Sequence, residues 1–345
     1  MHEQQSEEGD MNEKSKVMKV LRLFVLLCVA SAVLVAHTNH ATMAAGKKFP
    51  SRPIAIICPY QPGGGTETEL RNLAPCLKKY LGQPVLIKIM PGGGTTIGTS
   101  AAARAKPDGY TLVCNLLPAT ILAQEFHGTD AHLENFDYIY AWYEGPADVT
   151  VNAASPYKTF SDLVEASKKK PLKASIAGIG DIAHLQFMLL QKYTGLKATY
   201  IPYAGGAPAT AAVIRGEVDF FPGASTTSIR FVKAGQIRQL VLLGPEHLEA
   251  LPDTPTIYEL GYKDWPYVPF VRGVSVRPGV PEDRVKILEA AFQKSVDDPD
   301  FRGRMQKQGR PVSKIPGKKL QEWAKKSIEL AKQYVPLMKE TKMGK

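Results

Sequence analysis

Short apolar runs alternate with stretches of helical spacing through most of the chain. "RPIAIICPY" is a continuous apolar run bounded by Pro53 and Pro59, which predicts a buried strand, and Thr66 to Tyr80 then places Leu70, Leu73 and Leu77 on one helical face. "PVLIKIM" and "PGGGTTIGTSAAARA" repeat the order of strand, glycines and helix, and so do "LKASIAGIGDIAHLQFMLLQKY" and "ATYIPYAGGAPATAAVI". Strands that alternate with helices in this way predict an α/β architecture with parallel strands. "HGTDAHLENFDYIYAWYEGP" has a mixed pattern and predicts no clear element. Near the end, Lys318 to Lys339 spaces Leu320, Trp323, Ile328 and Leu330 as the packing face of a tail helix.

Each predicted junction between strand and helix is rich in glycine: Gly63, Gly64 and Gly65, then Gly92, Gly93 and Gly94, then Gly178 and Gly180, then Gly205 and Gly206. Glycine is costly in chain entropy, so its clustering marks either unusual dihedral angles or a place where something approaches the main chain closely. At such a turn the first free N–H groups of the helix point outward and the dipole favours negative charge. A single loop of this kind reads as a tight turn. Four similar loops point to a shared cleft, because ligands of open α/β sheets bind beyond the carboxyl ends of the strands.

With 345 residues, 44% hydrophobic and 8% aromatic, the chain has core enough for two domains. The N-terminus reads as a secretory signal peptide, with an uncleaved anchor as the alternative. Lys14, Lys16, Lys19 and Arg22 precede the short apolar run "LFVLLCVASAVLVA", and small residues then suit cleavage near Ala44 or Ala45. The acidic prefix "MHEQQSEEGD" fits a start at Met11 or Met18, and Cys28 sits poorly for lipid attachment. Residues 1–45 hold four basic and five acidic residues, which leaves 39 Lys and Arg against 28 Asp and Glu, a net +11. That excess can steer anions at long range or equally be a solvated surface, and the lysine clusters "SKKKPLK" and "PGKKLQEWAKK" read as exposed helix ends and faces. The basic runs lack interleaved aromatics, so nucleic acid is not an expected partner.

The remaining part of the chain keeps Cys58, Cys76 and Cys114, which read as small core residues. His127 and His132 lack metal-ligand spacing, and His184 reads as a residue at a helix start. No metal is expected. There is no P-loop and no G-x-S-x-G elbow, and "GIGDIA" is only a loose dinucleotide pattern without the acidic partner. No cofactor and no catalysis are expected.

Nine segments in order carry a more specific signal: "RPIAIICPYQPGGGTETELR", "LGQPVLIKIMPGGGTTIG", "AKPDGYTL", "SPYKTFSDLVEASKK", "IAGIGDIAHL", "IPYAGGAPATAAVIRGEVDF", "VKAGQIRQLVLL", "LPDTPTIYELGY" and "RPGVPEDRVKILEAAFQKSVDDPDF". Together they resemble the substrate-binding receptors of tripartite tricarboxylate transporters, also called Bug receptors. The resemblance implies a two-lobed periplasmic binding protein of type II-like fold, two α/β domains with a cleft between them, closing as a Venus flytrap. Residues 51–148 and 269–345 would form lobe one and 149–268 lobe two. It implies a monomer that captures a small organic acid in the periplasm and delivers it to transporter membrane subunits. The alternative is a sensor that presents the solute to a two-component system. An exported enzyme is a further rival, with Glu67, Asp181 and His184 as its titratable candidates.

In such receptors the glycine loops hold a ligand carboxylate by backbone groups, which places Gly63 to Glu67, including Thr66, and Gly92 to Thr96 at the site, with Thr95 and Thr96 in the second loop. The second lobe would add Gly178, Gly180, Asp181, His184, Tyr203, Gly205 and Gly206. The chain departs from the family pattern at Glu67, Ile89, Thr95, Thr96, Ile176 and Asp181. Ile89, Ile176 and Tyr203 would make one wall apolar. Asp181 has two readings: an N-cap for the following helix, or a partner for an ammonium or hydroxyl on the ligand.

Overall fold

The computed structural model describes residues 48–340, and every element below belongs to the body that runs from Arg52 onward. The expected signal peptide lies outside the described residues, and no described helix is long and apolar enough to cross a membrane.

The chain opens with β1 (Ile54–Cys58), α1 (Gly65–Leu81), β2 (Val85–Ile89), a 3-10 turn (Gly93–Thr95), α2 (Thr96–Ala103), β3 (Thr111–Leu117), α3 (Ala119–His127) and β4 (Asp137–Gly145). It crosses at Pro146 and continues with β5 (Ala147–Asn152), α4 (Phe160–Lys169), β6 (Leu172–Ile176), α5 (Ile182–Thr194), β7 (Ala198–Pro202), α6 (Gly206–Ile214), β8 (Phe220–Ala224), α7 (Ser225–Lys233) and β9 (Ile237–Leu243). It then returns through β10 (Phe270–Val276), α8 (Glu282–Asp297), α9 (Pro299–Lys307), β11 (Ile315–Pro316) and α10 (Gly317–Glu340).

Two mixed sheets result, in the orders β11-β4-β10-β3-β1-β2 and β7-β6-β8-β5-β9. β1 is fully buried and parallel to both neighbours, with Ile56 opposite Ile87 and Leu112. Its unbroken apolar sequence is what a strand covered on both faces requires. β6 is likewise parallel to β7 and β8. The strands that join the lobes, β4 to β5 and β9 to β10, lie side by side within each sheet and run antiparallel there. The first crossing at Pro146 falls just ahead of the boundary at 148, because β5 already begins at Ala147.

The segment expected to lack an element contains β4, which is buried throughout except for exposed Asp137 and half-buried Glu144. A strand covered on both faces shows no alternation, which is why its pattern was mixed. The tail helix forms as expected and packs on α3 and β4. Its core face is Leu320, Ala324, Ser327, Ala331, Val335 and Met338, whereas Trp323, Ile328 and Leu330 are half-buried. Small residues there let the helix axis approach the sheet closely. Cys58, Cys76 and Cys114 are free and buried.

Asp148, two residues past the crossing, is completely buried. Its Oδ2 accepts hydrogen bonds from Gln239 Nε2, at 2.6 Å, and from Ser228 Oγ, while its Oδ1 and Gln239 Oε1 have no partner among the described residues. Burial pushes the carboxyl up to about 7. An acid whose folded pKa exceeds its unfolded one adds stability below the unfolded value, and that stability is lost as pH rises through the folded value. Asp148 therefore lowers stability between pH 4 and 7. Asp148→Asn, whose amide also supplies the missing donor, should flatten that slope and stabilise the protein at pH 8 by about 2 kcal/mol in urea titrations.

Candidate functional site

The carboxyl ends of β1, β2, β6 and β7 each run straight into a glycine loop, and the four loops converge on one cavity of about 360 Å³ between the two sheets. From the first lobe it is lined by Gly64, Gly65, Thr66, Gly92, Gly93, Gly94 and Thr95. The second lobe contributes Gly178, Asp181, Tyr203, Gly205 and Gly206. Gly63, Glu67, Thr96, Gly180 and His184 are not part of the lining.

Those five sit behind the wall and shape it. Glu67 turns back on its own loop, where Oε2 accepts the Gly63 N–H at 3.2 Å and Oε1 pairs with Arg71. Thr96 Oγ1 donates to the Gly93 carbonyl at 2.8 Å. Gly180 has φ +81°, and a Cβ there would stand 2.6 Å from the Phe126 ring. His184 is completely buried on α5, its Nδ1 accepting the Gly180 N–H at 3.3 Å. Burial drives its pKa down to about 4, so the ring stays neutral and holds the loop by that bond.

The two triple glycines serve different needs. In the second loop Gly92, Gly93, Gly94 and Thr95 all have positive φ, a run of left-handed backbone that L side chains resist. In the first loop Gly65 makes room: a Cβ there would lie 3.0 Å from Arg272 Nη2 and 3.1 Å from Thr226 Oγ1. What approaches the main chain at Gly65 is thus a buried side chain of the protein itself.

Arg272 belongs to a cluster that underlies the cavity. It enters from the fully buried strand β10, lies over the Tyr143 ring at 4.6 Å, and is itself part of the lining. Nη1 donates to Glu69 Oε1 at 2.8 Å and to Thr226 Oγ1 at 2.7 Å, and Nε donates to Thr66 Oγ1 at 3.1 Å. Glu69 Oε1 also accepts from Arg310 Nη1 at 2.9 Å, and its Oε2 from Trp142 Nε1 at 2.9 Å. Arg310 Nη1 in turn reaches the Gly65 carbonyl at 3.1 Å. Two guanidiniums share one carboxylate, so the cluster keeps a net positive charge. Thr226 brings the second lobe into it.

Two more bonds bridge the lobes. His127 Nε2 lies 2.8 Å from the Ile179 carbonyl oxygen, and Arg230 Nη2 donates to the Gly63 carbonyl at 3.1 Å. Within the cavity wall, the hydroxyls of Tyr60 and Thr95 are buried without a hydrogen-bond partner among the described residues. Asp181 caps α5, its Oδ1 accepting the His184 N–H at 3.0 Å, and it also lines the cavity. Both readings of this residue therefore keep a structural basis. Ile89 and Ile176 do not line the cavity, Ile176 being fully buried at the end of β6. Among the described residues no group of His, Cys, Asp and Glu is arranged to hold a metal.

A family model described as the tripartite tricarboxylate transporter family receptor matches residues 70–341. The chain belongs to that family. Among relatives of these receptors, a UPF0065 protein in the TAR-I ttuE-ttuC' intergenic region of Agrobacterium vitis is 31% identical over 257 residues, spanning 73% of this chain and 72% of its own. The periplasmic binding protein BugD superposes with a TM-score of 0.77 at 27% identity, over 86% of this chain and 100% of BugD. MatC from Rhodopseudomonas palustris with bound malate superposes with a TM-score of 0.77 at 26% identity, over 83% of this chain and 100% of MatC. The two-lobed fold and the resemblance to Bug receptors are borne out, and the chain is a solute-binding receptor of this family.

Sequence reasoning found the loops but missed Tyr60, Glu69, Trp142, Arg272 and Arg310. One signal was present: "FVRGVSV" is an apolar run with a single arginine inside it, and a buried arginine demands a partner.

Proposed function

We propose that the protein captures a small carboxylate in the periplasm by closing its two lobes around it and delivers it to the membrane subunits of a tripartite transporter. The observation that carries this reading is the cavity itself, lined by glycine loops from both lobes with the positively charged Arg272 cluster beneath it. A carboxylate there would meet backbone N–H groups, the unpartnered hydroxyls of Tyr60 and Thr95, and Arg272 Nη2. Each of those groups gains a hydrogen bond, and the cluster gains the charge it lacks. MatC, with its bound malate, is a relative whose solute fits the same description.

The topology supports closure. Two adjacent crossings at Pro146 and between β9 and β10 form a hinge, and a solute that touches both lobes favours the closed arrangement by its differential affinity. The His127 and Arg230 bonds would latch it. Catalysis has no part in this reading.

The test is a thermal-shift screen of residues 46–345 against di- and tricarboxylates, aromatic acids, amino acids and hydroxy acids, with neutral sugars as the control. At a hundredfold excess over its dissociation constant a true ligand adds about 2.7 kcal/mol of apparent stability. A shift confined to acids is the expected result, and a shift with sugars alone would overturn the reading.

A further inference from the structure

Two ionisable side chains of opposite sign face the cavity from different lobes. Among the described residues that line it, Arg272 is the one lysine or arginine and Asp181 the one carboxylate. Arg272 shares its counter-charge, Glu69, with Arg310, so its end of the cavity is net positive. Its Nη2 takes no part in the bonds to Thr66, Glu69 and Thr226 and lies against the bare face of Gly65.

Asp181 stands in the opposite situation. Oδ1 caps α5, and Oδ2 lies near Gly178, 3.5 Å from where a Cβ would stand on that lining glycine. The carboxyl is opposed by burial and supported by the backbone N–H groups of His184 and Ala183, with no cation among its partners in the described residues. Tyr60 lies within electrostatic reach of both Asp181 and Arg272, and its hydroxyl has no partner of its own.

We infer that the cleft is built for a dipolar solute, with a carboxylate at the Arg272 end and a hydrogen-bond-donating group, an ammonium or a hydroxyl, at the Asp181 end. Above its raised pKa, Asp181 would meet a second carboxylate as a like charge, with no lysine or arginine of the lining beside it to offset the repulsion. A donor there satisfies Oδ2 and leaves the Tyr60 hydroxyl free to bond along the length of the solute. This inference rests on the carboxylate-receptor reading and narrows it to a substrate class.

The test compares ω-amino acids, ω-hydroxy acids and α,ω-dicarboxylates of three to six carbons by isothermal titration. The pH is 8, above the value of about 7 to which burial raises Asp181. At one chain length or more, the amino or hydroxy acid should bind about tenfold tighter than the dicarboxylate of equal length. Which of the two wins distinguishes ammonium from hydroxyl. Asp181→Asn keeps an effective N-cap, so the helix start survives while the charge goes, and the advantage should fall to about threefold or less with dicarboxylate binding unchanged or improved. A dicarboxylate that binds as tightly as the donor acids at every length overturns the inference, as does an advantage that survives Asp181→Asn. Should none of these acids, nor any in the thermal-shift screen, bind at all, the carboxylate-receptor reading itself fails and this one falls with it.

Discussion

Glu69→Ala is expected to destabilise the protein by about 3 to 5 kcal/mol, read as a lower urea midpoint at unchanged slope. Glu69 is completely buried and is, among the described residues, the one carboxylate bonded to Arg272 and Arg310, while also accepting from Trp142 Nε1. Its removal leaves two guanidiniums facing each other in a water-poor interior, with an orphaned indole N–H beside them. Removing one partner of a buried pair costs far more than the pair contributes in net terms, because the remaining charge keeps its full desolvation penalty. Burial and the neighbouring Arg272 already hold the Arg310 pKa below its usual value, the first of these being the larger effect. Glu69→Gln should lie between, since it keeps the acceptor but not the charge.

Arg272→Gln is expected to do the reverse: weaken carboxylate binding roughly a hundredfold, about 2.7 kcal/mol, with a smaller effect on stability. The substitution leaves Glu69 and Arg310 as a one-to-one pair, so the cluster becomes neutral and stays charge-balanced. What is lost is the net positive charge and the Nη2 donor toward the cavity. Arg272→Lys should recover part of the affinity, because it restores a charge but not the fork that reaches Glu69, Thr66 and Thr226 together. Titration calorimetry on the two variants, beside their urea curves, separates the binding effect from the folding effect. Equal losses of stability in Glu69→Ala and Arg272→Gln would contradict the charge count given above.

The glycine loops were legible in the sequence because each one is local: strand, glycines and helix follow within about two dozen residues, and their convergence is a general property of α/β sheets. The N-cap role of Asp181 was legible for the same reason. The charged cluster was not, because it joins Glu69 to Arg272 across 203 residues and to Arg310 across 241. Nothing near any of the three predicts the others. The purpose of Gly65 was hidden with them, since the group that needs its bare face comes from β10 and α7. β4 escaped for a different reason: lying between β10 and β11 with both faces covered, it has no polar face to reveal a period of two.

Amide hydrogen exchange, with and without the tightest acid from the thermal-shift screen, tests the capture of a solute between the lobes most directly. Protection is expected in all four loops at once, in 63–66 and 92–96 of the first lobe and in 177–181 and 203–207 of the second. Protection confined to one lobe, or appearing away from the loops, would contradict closure around a carboxylate in this cleft.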